Sequence, residues 1–443
     1  VTLSAAQVAA LTHDIVWLEE VEVNGEKVLA PVVYLAQAEG RLGPNGALIQ
    51  GRDVNLITGG DLRNAGTLRA QNDLSATAGN IDNSGLIEAG KRLDLLAGDS
   101  IRNRQGGVIA GRDVSLTALT GDVINERSVT RYDSALDGRT WERSFADSAA
   151  RVEAANSLNV QAGRDIANLG GVLQSRGDLS LDAGRDVTVA AVEDRQGQTR
   201  WSTSRLQSVT QLGAEVSAGR DLNVSAGRDL SAVASALEAR RDIALSAGRD
   251  VTLAAAANEE HSFATGKKVT AKNDRVEHQS TVVSAGGDLS VQGGNDVTFV
   301  ASQAKASNEA YLYAGNDLNL LAAHDESYSY YSKKKKGSFG RSSSRMSESE
   351  ASTVVSSSIQ AGQGAELVAK RDVNVEASSA SSTKGELAVV AGRDVNLTAA
   401  ENSYSSVSAK SKSGGLGLSS TSKANAQSSS YTSVQGATLS GDT

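Results

Sequence analysis

Ala391-Gly392-Arg393-Asp394-Val395-Asn396-Leu397-Thr398-Ala399 returns, with small changes, along most of the chain. Close copies stand at Gly51–Leu56, Gly111–Leu116, Gly184–Val189 and Gly248–Leu253. Each reads as a corner followed by a short strand. Gly permits a left-handed turn, Asp can bond the backbone just beyond it, and apolar residues two apart face one side. No copy can bury its apolar face alone, so neighbouring copies must stack.

Positions of the Asp type can be counted outward from this phrase. They fall at 53, 61, 73, 80; 92, 100, 113, 122; 157, 165, 178, 186; 221, 229, 242, 250; 288, 296, 309, 317; and 364, 372, 386, 394. Asn80, Arg92, Ser100, Ser157, Glu309, Gly364 and Glu386 replace Asp. Within each set the steps are about 8, 13 and 8, so one turn holds about 21 residues and about three short strands. The step that closes each set is 12 residues at first (80 to 92), then 35, 35, 38 and 47. Every second turn therefore carries an insertion at one fixed corner, and the first set carries none.

The fold expected is all-β: a right-handed parallel β-helix of about 21 residues per turn, with β-hairpin arms at one corner of every second turn. Twelve turns predict a rod on the order of 60 Å long. Regular turns occupy 47–126, and 127–443 is β-helix with insertions at about 127–150, 192–215, 256–281, 323–358 and 401–432. A lone two-stranded arm is marginal in water, so the arms are expected to be mobile or paired with each other. Residues 1–46 differ. Ser4 with Gln7 suggests a capping box for a short helix to Leu11, and Asn24-Gly25 joins two strands into a hairpin that would cover the first turn. Asn64, Asn83, Asn103, Asn125 and Asn168 recur three residues after alternate Asp-type positions, predicting a ladder of stacked amides.

Composition agrees with a narrow core of small side chains. Aromatics are 4% of 443 residues, there is one Met, and both prolines, Pro31 and Pro44, precede the repeats. The absence of Cys excludes disulfides and thiolate metal sites. A net charge of −8 argues against a general nucleic-acid binder. The sequence shows no signal peptide and no run of 18 apolar residues, and it reads as a fragment of something longer.

Chemistry is sparse. The Gly-x-Asp recurrence lacks the nine-residue doubled-glycine pattern of calcium-binding β-rolls, and a polysaccharide lyase or hydrolase would need a local pair of carboxylates that the regular Asp column does not show. His13, His261, His278 and His324 share no ligand spacing. No catalytic, cofactor-binding or metal-binding residue is expected, and no small-molecule substrate.

The repeats resemble those of filamentous haemagglutinin and its relatives, large fibres exported by two-partner secretion in Gram-negative bacteria. The opening Leu11-Thr12-His13-Asp14-Ile15-Val16-Trp17-Leu18, with Pro31-Val32-Val33-Tyr34, is similar to the segment introducing the second haemagglutinin-repeat block of contact-dependent growth inhibition effectors. The resemblance implies a non-catalytic rod in a toxin-delivery protein, secreted to the cell surface by an outer-membrane partner. It would engage a target cell's outer membrane or a surface receptor and help a toxin cross. An adhesin stalk is the alternative. The stretch best suited to such contact is Tyr328, Tyr330, Tyr331, Lys333, Lys334, Lys335, Lys336 and Phe339, where Lys can neutralise phosphate and Tyr suits a membrane–water boundary. The bland alternative is a ribbon tip kept soluble by charge.

Overall fold

The computed structural model describes residues 15–23, 26–34, 47–338, 341–416 and 419–442. From Leu48 the chain winds as a parallel β-helix with three short strands per turn. One turn comprises Ala236–Ala239, Ile243–Ala247 and Val251–Ala254. It pairs in parallel with both neighbours: Ile243 lies between Leu222 and Leu289, and Val251 between Leu230 and Val297. The third strand of every turn belongs to a 12-stranded sheet. The first two strand columns merge into 23 strands, because Val108–Ala118 and Arg151–Ala162 run through the corner between them.

Alternation fills the interior. Leu222, Val224 and Ala226 point inward on one strand, and Leu, Ile and Val alternate with Ala along the helix. Alanine ends the strands at Ala218, Ala226, Ala239 and Ala247, where the interior narrows at a corner; all four are buried. Ile15–Val23 and Glu26–Tyr34 form an antiparallel pair with Val23 opposite Glu26. The helix expected from Ser4 to Leu11, and Asn24-Gly25, lie outside the described residues.

The recurring phrase works differently from its local reading. Among the described glycines, only Gly106, Gly138 and Gly170 have positive φ, so the phrase does not use glycine for a left-handed turn. It uses it for closeness. A Cβ on Gly248 would sit 2.2 Å from the carbonyl oxygen of Gly227, and one on Gly227 2.2 Å from that of Gly184. The Asp, likewise, bonds the neighbouring turn rather than its own. Asp186 Oδ1 accepts the Asp229 N–H at 3.3 Å and Arg228 Nε at 2.8 Å. Arg185 meets Asp165, Arg249 meets Asp229, and Arg393 meets Asp372 in the same way. Asn295 and Asn316 take the place of Arg on Asp250 and Asp296. The result is a column of charge-assisted bonds parallel to the axis. Because Arg164 binds Asp122, Arg228 binds Asp186 and Arg249 binds Asp229, these three carboxyls are held below the usual carboxylate range.

Insertions leave from the corner that follows the third strand of turns 4, 6, 8, 10 and 12. Each is a hairpin: Val129–Leu136 with Arg139–Ala146, Val192–Arg200 with Ser204–Leu212, Ala256–Thr265 with Val269–Gln279, Ala323–Lys336 with Ser342–Val355, and Ala400–Leu416 with Ser419–Gln435. Turns 5, 7, 9 and 11 close the same corner with a single left-handed residue, at Gly170, Ala234, Ala301 and Ala377. Neighbouring arms pair, Arg143 opposite Gln196, Gln207 opposite His261, Asn273 opposite Ser329 and Ser347 opposite Ser408. The five arms thus form one ten-stranded antiparallel sheet, a fin along the rod.

Three outcomes are expected. Val251→Asp places a charge at a fully buried site and should cost several kcal/mol in denaturant unfolding, on the order of the penalty for an unpaired buried charge. Gly248→Ala should also destabilise, whereas Gly59→Ala, with open space around its Cβ position, should not. The lowered Asp pKa values stabilise the fold above the unfolded value of about 3.9, and that contribution disappears as pH falls through the folded values. Melting temperature should hold between pH 7 and 5 and fall below about pH 4; a flat profile would show that the ladder contributes nothing.

Candidate functional site

The helix interior offers polar ladders rather than a cleft. Asn64 donates to Asn83 Oδ1 at 2.7 Å, Asn83 to Asn103 at 2.8 Å, Asn103 to Asn125 at 2.9 Å and Asn125 to Asn168 at 2.8 Å. These five amides are buried, and their remaining donors meet carbonyls such as Gly107 O and Gly171 O. Beyond Asn168 the position is apolar, beginning with Val189. Small hydroxyls then serve the corner. Ser235 Oγ accepts the Ala214 N–H, Thr281 Oγ1 that of Ser235, Ser357 Oγ that of Ser302, and Ser378 Oγ that of Ser357. This second ladder was not read from the sequence, although Ala-Ser at 234–235, 301–302 and 377–378 marks it. Both ladders satisfy buried backbone groups at the corners. Among the described residues, no cluster of His, Asp and Glu is placed to hold a metal ion.

Groups that could meet another molecule lie on the fin. Among the described residues, large exposed apolar side chains concentrate there, including Tyr132, Leu136, Phe145, Trp201, Leu206, Tyr404 and Tyr431.

The aromatic and basic stretch singled out in the sequence runs along one strand of the fourth arm, so alternation divides it. Tyr328, Tyr330, Lys334 and Lys336 share one face; Tyr331, Lys333 and Lys335 share the other. Tyr328 is engaged within the fin. Its hydroxyl donates to Glu348 Oε1 at 2.9 Å, a bond that pushes the phenol pKa up, and Lys272 Nζ lies 4.8 Å from its ring centre. Tyr330, Tyr331 and Lys333 are half-buried, while Lys334, Lys335 and Lys336 are exposed. Phe339 lies outside the described residues.

What the stretch lacks in one strand, the pairing of arms supplies. Lys333 stands opposite Arg345, which stands opposite Lys410. Two residues outward, Lys335 is in row with Ser343, Lys412 and Lys423. Six cations from four strands therefore share one face at the fin's tip. Histidines sit nearer the root: His261 Nδ1 lies 3.1 Å from Asp274 and His278 Nδ1 3.0 Å from Asp325. His13 lies outside the described residues.

Comparison with known proteins agrees with this architecture. One haemagglutinin-repeat model matches residues 2–125, ahead of the first arm at Val129–Ala146. A second haemagglutinin-repeat model matches four times, over 134–204, 195–268, 263–338 and 337–443, each match starting within an arm. The chain is similar to the deoxyribonuclease CdiA of Dickeya dadantii strain 3937, with 34% identity over 392 residues, 86% of this chain and 12% of that protein. It is similar to the 16S rRNA endonuclease CdiA of Enterobacter cloacae, with 32% identity over 412 residues, 91% of this chain and 12% of the relative. The tRNA nuclease CdiA of Escherichia coli strain STEC_O31 is 31% identical over 402 residues, 85% of this chain and 12% of its own length. The chain thus spans about one eighth of these relatives. No solved structure matches it. With both plain and arm-bearing turns covered by its models, the chain belongs to the haemagglutinin-repeat family, as a repeat region of the kind CdiA proteins carry.

Proposed function

We propose that this segment is a non-catalytic rod of a secreted bacterial toxin-delivery protein, and that its fin engages the outer membrane of a target cell. The observation that carries the reading is the fin itself. A spacer would need only the helix, yet five insertions assemble into a sheet that exposes aromatic side chains and gathers cations at its tip. The nuclease activities named for the relatives belong to whole proteins, of which this segment covers about 12%. Nothing in the ladders described above resembles a hydrolytic site. Export would require an outer-membrane secretion partner for the full-length protein, as the resemblance to two-partner secretion implies. The alternative, a stalk of a filamentous haemagglutinin-like adhesin whose arms serve only spacing or fibre packing, predicts that the fin does not engage a membrane.

Co-sedimentation of the whole chain with outer-membrane vesicles, followed by limited proteolysis of the bound material, separates the two. The expected result is binding, with the arm strands protected and the cut pattern of the helix unchanged. Failure to bind, or protection confined to the helix, would favour the stalk.

A further inference from the structure

We infer that the tip of the fin is a binding site for clustered phosphates, as presented by a multiply phosphorylated lipid headgroup at a membrane surface. The inference rests on the reading of the fin as a contact surface and goes beyond it by naming the chemistry recognised.

Three observations point to this ligand. The first is charge. Residues 331–347 and 408–427, which form the outer parts of the last two arms, contain nine Lys and Arg and no Asp or Glu, in a chain whose net charge is −8. Among the described residues, none of these cations reaches a carboxylate. That contrasts with the helix, where Arg after Arg is paired with Asp. The second is arrangement. Lys333, Arg345 and Lys410 stand directly opposite one another, and Lys412 stands opposite Lys423. Like charges opposed across strands repel, and a bound anion turns that repulsion into attraction. The third is shape. A groove of about 510 Å³ opens at the tip, lined by Lys335, Lys336, Arg341, Lys412 and Lys423 with serine and threonine hydroxyls between them. Ammonium, guanidinium and hydroxyl donors around a concavity without carboxylate suit phosphate oxygens.

The patch spans three inter-strand spacings, about 14 Å. On the same face toward the root stand Glu260, Glu277 and Asp325. A long polyanion laid along the fin would meet those carboxylates, whereas a phosphate-bearing surface met end-on would touch only the tip. This favours a lipid headgroup over nucleic acid.

The test uses the whole chain and Lys335→Ser/Lys412→Ser/Lys423→Ser, with vesicles of phosphatidylcholine alone or containing a diphosphorylated glycolipid. Inorganic pyrophosphate and a short DNA duplex serve as soluble competitors. These side chains lie off the core, so melting should be unchanged. The expected result is selective binding to the diphosphorylated vesicles, weakened roughly a hundredfold in the triple variant, about fivefold per lysine. Equal binding to plain phosphatidylcholine, or undiminished binding by the variant, would overturn the inference. So would tighter binding to DNA, or pyrophosphate binding as tight as the vesicles'. If the variant still sediments with outer-membrane vesicles as the parent does, the fin remains a contact surface and only the phosphate site fails.

Discussion

Everything outside the helix core depends on one length, the spacing between hydrogen-bonded strands, about 4.8 Å. The rod advances by that distance at every turn, because each turn is one strand deep. A hairpin arm is two strands wide. Two turns and one arm therefore occupy the same rise, and arms set on alternate turns meet edge to edge without a gap or a clash. An arm on every turn would be twice too wide for its place, and one on every third would leave its neighbours out of reach. The left-handed residues at Gly170, Ala234, Ala301 and Ala377 close the intervening corners in the least space. Alternation of arm and tight corner is thus the condition under which marginal ribbons become a sheet.

The same stacking explains why the interior is rich in polar ladders yet poor in chemistry. A short turn repeated along an axis brings each corner's backbone against its counterpart, with unpaired N–H groups at the bends. Asp with Arg, Asn with Asn, and Ser or Thr with backbone are three solutions to that requirement. The amide ladder runs through the first five turns and the hydroxyl corner appears beyond it. The change comes at the sixth turn, where Val189 takes the place that Asn168 holds in the fifth.

Much of the helix was legible in the sequence because its rules are local and repeated. The spacing of the Asp-type positions reports the turn length directly, and the lengthened closing steps report the arms. What local reading missed depends on neighbours distant in the chain. Gly248 looks like a turn residue until Gly227 is placed beneath it. Lys333 to Lys336 look like one cluster until alternation divides them and pairing with Arg345, Lys410 and Lys412 builds another. No property of the fourth arm alone fixes its register against the third or fifth. Cross-arm pairing follows from the pitch of the rod, and pitch belongs to the assembled turns.

The arms also lengthen along the rod, from eight residues per strand in the first to 17 in the fifth. Because hydrogen bonds in both rod and fin run along the axis, a pull on the rod loads both in the same sense. Between turns 5 and 6 the fin is held by the pairing of Arg139–Arg143 with Gln196–Arg200, and between turns 7 and 8 by the pairing of Ser204–Val209 with Glu259–Ala264. Each later junction has more fin bonds beside the same three helix strands, from five paired residues between the first two arms to eleven between the last two. The molecule is in this sense graded, a second rail growing stiffer along its length, so that tension would part the early turns before the late ones.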